Sequence, residues 1–321
     1  MKISHWLEKN ISGMARVATD MAEGERALGL DSKALSFDAK EQVTEGVDAD
    51  IHVIHTHLPD SIDARKVKKV LVIHGTPEHI FYTAVEAGLG HHHGFSDPWM
   101  QTIHLLKTSD ALVTFWPRHQ AIWQSLCDVG RKVHLIPMGI NTEFWKPVES
   151  KGRFAGKPAL LSAENCYLYK WPLDLMIAIP WVAEEIPDLR LHLFQLPLDQ
   201  HRWWFPLIDR NGAGYHSHVS GIAYSPEGLR NAFVGVDYYI GLVKYGDHNH
   251  ICLEAKASGC KVISHPGNPY SDYWVDEADQ QIMAKQLIKI LRAEVEPNKT
   301  EPVPALLEMT KAMVKIYESI I

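Results

Sequence analysis

Short apolar runs alternate with segments of helical spacing along most of this chain. Runs at residues 2–6, 34–37, 51–55, 69–74, 111–115 and 132–137 predict strands in the first half. Runs at 159–163, 189–195, 218–221, 237–243 and 261–264 predict strands in the second half. Helical spacing covers 14–28, closing at Gly29, and then 173–185, 226–234, 251–258 and 279–294. Strands that alternate with helices imply an α/β class with parallel sheets. The aperiodic, charged WKPVESKGRFAGK at 145–157 marks a join. The expected organisation is two doubly wound domains, 1–150 and 151–300. A last helical stretch, 301–321, follows the Pro-rich EVEPNKTEPVP.

The segment at 237–265, DYYIGLVKYGDHNHICLEAKASGCKVISH, reads as strand, polar loop, helix and strand in quick succession. A polar loop feeding a helix N-terminus gathers unpaired backbone N–H groups at the positive end of the helix dipole, which suits a phosphate. Glu254 in that helix would repel phosphate but accept hydrogen bonds from a ribose diol. Gly246, Asp247, His248, Asn249 and His250 form the loop that would meet a diphosphate.

Composition narrows the classes. The chain has 321 residues, 46% of them hydrophobic and 22% charged, enough for two ordinary soluble domains. A formal charge of −7 argues against holding nucleic acid by bulk electrostatics. Cys127, Cys166, Cys252 and Cys260 form no CxxC pair and sit in or beside apolar runs, so buried free thiols in a reducing compartment are expected. MKISHWLEKN reads as a first strand rather than a signal peptide. No run approaches the ~18 apolar residues of a bilayer span. A cytoplasmic protein is expected.

Four segments, in order, resemble the retaining GT-B glycosyltransferases of family 4. Ser12-Gly13-Met14 opens the first helix where that family has a Gly-rich turn. VLVIHGTP places His74 at a strand end, where the family has a histidine facing the sugar. KVHLIPMGINTEFWKP, which contains Asn141, is similar to its strand, Pro, Asn-Gly-Ile-Asp, Phe and Pro pattern. LEAKASGCKVIS is similar to its nucleotide-binding signature. MVKIYESII resembles the last helix, which in that fold crosses back to the first domain. The resemblance implies a GT-B architecture, two Rossmann-like domains facing across a cleft, the first on the acceptor side and the second holding the nucleotide-sugar. It implies transfer of a sugar from a nucleotide diphosphate donor with retention, a UDP-sugar in preference to a GDP-sugar, and no cofactor. Implied catalytic residues are His74, Lys170 and Glu254. Gly13 and the loop from Gly246 to His250 join Lys170 and Glu254 in donor binding.

The chain departs from the pattern at two points. In SAENCYLYKWP, Lys170 is present but the position of the usual Arg holds Glu164. Of the paired glutamates, Glu254 is present but 246 is glycine, with Asp247 one step on. Glu164, His55, His57 and Asn141 are therefore kept as donor or acceptor contacts. Alternation puts His55 and His57 on one face of an ending strand, where they either reach the crevice or pack in the sheet. The HHHG at 91–94 reads as a polar loop, since consecutive histidines do not converge on one ion unaided. The DAD at 48–50 imitates a metal motif but precedes a strand and reads as a turn. No metal is expected. Trp116 and Trp123 read as core, and the RWWF at 202–205 as a sugar contact of lower rank. A nucleotide-sugar epimerase and a non-catalytic nucleotide-sugar or glycan binder of the same fold are the rival readings. The acceptor stays open, a hydroxymethylated DNA base included, as does the oligomeric state.

Overall fold

The computed structural model of the chain describes residues 1–8, 12–37, 43–55, 58–59, 62, 66–77, 97–126, 133–149, 152–163, 172–194, 217–220, 225–243, 250–276 and 279–321. They form two compact units, Met1–Asn141 with Pro304–Ile321, and Thr142–Val303. The sequence alone suggests joins after 150 and 300. The first join falls earlier, after Asn141, because the segment from Thr142 onward is already anchored in the second unit, where buried Trp145 packs on Phe233, and the second falls after Val303.

The first unit is built on a parallel sheet of β1 (Lys2–Glu8), β2 (Asp31–Phe37), β3 (Ile51–Ile54), β4 (Lys68–Ile73), β5 (Ala111–Thr114) and β6 (Val133–Leu135). The strand order is β2-β1-β3-β4-β5-β6, so the winding direction reverses between β1 and β3. All four residues of β3 are buried, as a parallel strand covered on both faces should be. β2 begins three residues earlier than its apolar run, because as an edge strand it pairs along the whole of β1, starting at Asp31 beside Lys2. Helix α1 (Ser12–Ala27) packs on β1 and β2. Helices α2 (Asp97–Thr108) and α3 (Pro117–Leu126) are absent from the sequence prediction, although α3 opens on a proline, a readable start signal. Trp6, Leu71, Leu105, Leu112, Trp123 and Val133 belong to one buried cluster.

The second unit holds β7 (Ala159–Ser162), β8 (Arg190–Phe194), β9 (Ser217–Ser220), β10 (Tyr238–Gly241), β11 (Lys261–Ser264) and β12 (Tyr273–Trp274). Its order is β12-β11-β10-β7-β8-β9, all parallel, the doubly wound order with a switch point between β7 and β10. Helices α4 (Pro172–Glu185), α5 (Pro226–Gly235), α6 (His250–Ala257) and α7 (Gln280–Leu291) connect or cover the strands. Leu160, Leu191, Ile240 and Ile263 of the sheet meet Ile179 and Val182 of α4 and Leu287 and Ile290 of α7 in one core. Asp279 caps α7, its carboxylate accepting from the N–H groups of Gln281 and Ile282.

The last helix, α8 (Leu306–Ile320), belongs to the first unit, where it packs on α1. It buries Met309, Thr310, Met313, Ile316 and Tyr317, one stripe at helical spacing, and leaves Leu307, Lys311 and Lys315 outward. A parallel bridge between Ile140 and Ala305 fixes its entry.

Candidate functional site

In open α/β sheets, ligands bind beyond the carboxyl ends of the strands, at the switch point. In the second unit, the strands flanking that point are β7 and β10. In chain order, β7 is followed by residues 164–170 and then α4, and β10 by residues 244–249 and then α6. The helices that follow these two strands therefore carry their positive ends toward this edge. Lys170 and Glu164, and Gly246, Asp247, His248 and Asn249, lie outside the described residues, as do His57, the histidines at 91–93, RWWF at 202–205, Cys127 and Cys166.

α6 is seated close against the sheet. A side chain at Gly241 would bring its Cβ to 2.6 Å from the sulfur of Cys252. This close approach puts the first turn of α6 at the end of β10. Glu254 is buried in the second turn, with Oε1 3.3 Å from Nδ1 of half-buried His250. On the neighbouring strand, Ser264 donates to Gly241 O at 2.8 Å and accepts from Asn268 Nδ2 at 3.2 Å, a buried brace for the same edge. Cys252 and Cys260 are buried free thiols.

In the first unit, the matching edge carries Gly13, His55 and His74. Gly13 lies in the first turn of α1, directly after β1. His55 follows β3 and His74 follows β4. Asn141 is exposed at the end of the unit, after the Ile140 bridge. The Asp48 and Asp50 pair sits at the opposite edge, where Asp48 accepts from Lys2 Nζ at 2.8 Å and Asp50 from the Lys2 N–H at 2.7 Å. It is a turn that closes the N-terminal ends of β1 and β3. Among the described residues, no group of three or more His, Cys, Asp and Glu is arranged to hold a metal ion.

The register of the sheet joins His74 to His55 and to His5, a residue that the sequence reading does not single out. His5 pairs with Val53, and Val53 with Val70, so His5, His55 and His74 point to one face, each two residues further along than the last. The rings meet: His5 Nδ1 is 3.0 Å from His55 Nε2, and His55 Nδ1 is 2.9 Å from His74 Nε2. At the inner end, His5 Nε2 lies 2.8 Å from Glu25 Oε2. Glu25 also accepts from Ser32 Oγ at 2.6 Å and from the hydroxyl of Tyr317 at 2.7 Å. Glu25, His5 and Tyr317 are fully buried, and His74 is half-buried beside the ring of Phe115.

Burial alone would raise the pKa of Glu25, but the adjacent His5 and the hydrogen bonds from His5, Ser32 and Tyr317 outweigh it and hold the carboxyl below its ordinary value. Burial holds His55 well below the ordinary histidine value, and the neighbouring imidazoles of His74 and His5 add to this. Burial, with Glu25 beside it, holds Tyr317 protonated well above the usual phenol range. The readable signal for Glu25 is its position on the buried stripe of α1, in step with Ala18, Met21 and Ala22.

Comparison with solved structures sets this arrangement in a known fold. The chain aligns with Anabaena HepE in complex with UDP-glucose over 100% of its own length and 98% of that chain, at 12% identity and TM-score 0.70. It aligns with sucrose-phosphate synthase from Thermosynechococcus elongatus over 100% and 94%, at 12% identity and TM-score 0.68. With WaaG, a glycosyltransferase involved in lipopolysaccharide biosynthesis, the figures are 99% and 95%, 11% identity and TM-score 0.66.

The fold is GT-B. At this level of identity the likeness establishes architecture alone. No family model matches the chain, and no curated protein matches it. The two GT-B units carry the chemistry-bearing residues at the carboxyl edges of their sheets: His55 and His74 in the first, and the helix that holds Glu254 in the second.

Proposed function

We propose that the chain is a retaining glycosyltransferase of the family 4 type that moves a sugar from a UDP-sugar to an acceptor hydroxyl. The observation that carries this reading is the pairing at the β7–β10 switch point. The segment with Lys170 follows one strand, and the loop with Gly246, Asp247, His248 and Asn249 follows its neighbour and leads into α6. The second unit is the donor side. Lys170 and the α6 N-terminus neutralise the diphosphate as the leaving group departs, while Glu254 holds the ribose. The first unit is the acceptor side, and His74 touches the sugar. Departure of a nucleoside diphosphate calls mainly for positioning and electrostatic stabilisation, which fixed helix ends supply.

The reaction proceeds without a metal, because the single Asp-x-Asp is occupied by Lys2 in a turn at the far edge of its sheet. The buried free thiols Cys252 and Cys260 are in keeping with a cytoplasmic enzyme. A second reading, a non-catalytic nucleotide-sugar or glycan binder, is favoured by one feature, Glu164 in place of the usual Arg. Radiolabelled UDP-glucose, incubated with and without a panel of hydroxyl acceptors, separates the cases. Transfer or slow release of glucose supports the enzyme. Recovery of an epimerised nucleotide-sugar would instead make it an epimerase, and retention of intact donor without turnover would make it a binder.

A further inference from the structure

We propose that Glu25 and His5 are positioning residues of a proton relay that ends at His74, setting the tautomer of that ring and receiving the proton it takes up. The proposal rests on the reading of His74 as a ligand contact, but its own basis is the unbroken chain of hydrogen-bonding atoms from Tyr317 to His74.

With His5 neutral at rest, the tautomers follow from one fixed end. Glu25 is ionised and accepts from Ser32, from Tyr317 and from the Nε2–H of His5. A neutral His5 with its proton on Nε2 has an accepting Nδ1, which takes the Nε2–H of His55 at 3.0 Å. The accepting Nδ1 of His55 then takes the Nε2–H of His74 at 2.9 Å. In this state His74 Nδ1 carries a lone pair. A neutral histidine outside such a chain is not bound to one tautomer.

The same chain moves a proton in balance. A hydroxyl proton received at His74 Nδ1 is matched by transfer of the His74 Nε2 proton to His55 Nδ1. The His55 Nε2 proton passes to His5 Nδ1. His5 keeps its Nε2 proton and becomes an imidazolium against the Glu25 carboxylate. His55 and His74 end neutral with reversed tautomers, and His74 now donates from Nδ1. One positive charge has moved from the carboxyl edge to a fully buried ion pair, where an unpaired charge would be prohibitive. The titratable groups acting on this chain include Glu25 from α1, Tyr317 from α8 and the three rings carried by β1 and by the ends of β3 and β4. The nitrogens meet in pairs and do not converge on one point, so the chain conducts protons and does not cage a metal.

The test uses the full chain labelled with 13C and 15N at histidine, with His74 assigned by the signals missing in His74→Gln. At neutral pH the His74 signals should show the Nε2–H tautomer alone. Glu25→Gln removes the charge that receives the proton, so protonation of the coupled rings, read at His74, should move down by about one pH unit or more. Ser32→Ala keeps the carboxylate but strips it of one donor, so the same curve should move up. Ser32→Ala also covers the case in which Glu25→Gln does not fold. Opposite shifts at a ring that neither side chain touches would confirm the relay. A His74 curve that stays in place in a folded Glu25→Gln or in Ser32→Ala would overturn it, as would an Nδ1–H tautomer at neutral pH. UDP-glucose added to the same samples tests the ligand-contact reading separately. Unmoved His74 signals at saturating nucleotide-sugar would remove that reading, while the pH curves still decide the relay.

Discussion

Tyr317→Phe deletes one hydroxyl from the last helix, and its effect can be worked out from the Glu25 pocket. The hydroxyl donates to Glu25 Oε1 at 2.7 Å, and both side chains are 0% exposed. No solvent replaces the lost donor, so an ionised oxygen loses a charge-assisted bond worth about 1.5–3 kcal/mol. With a slope of about 1–3 kcal/mol per molar urea, the midpoint for the first unit should fall by roughly 1 M. Its unfolding can be followed at the Trp6 indole, whose N–H donates to His52 Nδ1 at 3.0 Å inside that unit. The penalty should depend on Glu25. In a Glu25→Gln background it should shrink by at least about 1 kcal/mol, because a neutral acceptor forms the weaker bond. It should also shrink in acid, since a carboxyl held below its ordinary value gives stability that is lost as pH falls through its folded pKa. A penalty below about 0.5 kcal/mol, or one unchanged in the Glu25→Gln background, would refute the claim that Tyr317 secures a buried anion.

Three further outcomes are expected. His55 is held well below 6.5, so the unfolded chain takes up a proton that the folded chain refuses. Thermal stability should therefore fall as pH drops below about 6.5, by about 1 kcal/mol per pH unit over the window down to the folded value, and a flat profile there would contradict the burial of a neutral His55. Gly139→Ala should destabilise the first unit by about 1–3 kcal/mol in urea, because the new Cβ would lie 2.4 Å from the backbone oxygen of Ala305. Burial, with the carboxylates of Asp272 and Asp237 adding to it, pushes the Cys260 thiol up to about 12. Iodoacetamide at mildly alkaline pH should leave it unmodified until the protein unfolds, and rapid native labelling would show that it is exposed.

The legible parts of this molecule are those where burial leaves a local mark. β3, β4 and β5 are short, largely buried strands, and they stand in the sequence as the apolar runs 70–73 and 111–113 and the Ile51–Ile54 run broken only by His52. β12 has two residues, too few for any period, and exists because Tyr273 and Trp274 pair with Ile263 and Ser264. α2 and α3 escape periodicity, although Pro117 marks a helix start. At the site, the position of His74 after a strand is visible in the chain. Its link to His5 is not, because the link depends on the register between β1, β3 and β4, which no local pattern carries. Glu25 was within reach, since a carboxylate in step with Ala18, Met21 and Ala22 has to be buried with a partner. The resemblance to family 4 rests on motifs that follow strand ends, whereas the aligned structures, at 11–12% identity, speak to the fold alone.

The central claim is that the second unit holds a nucleotide diphosphate through Lys170 and the loop that leads into α6. Calorimetric titration of UDP into the full chain and into Lys170→Ala tests it most directly. The account predicts one site on the wild-type chain, binding UDP in preference to GDP. It also predicts a loss of about ten- to a hundredfold in the variant, since a charge-assisted hydrogen bond to a phosphate is worth about 1.5–3 kcal/mol. Absence of heat with any nucleoside diphosphate, or equal affinity for UDP in wild type and Lys170→Ala, would contradict it.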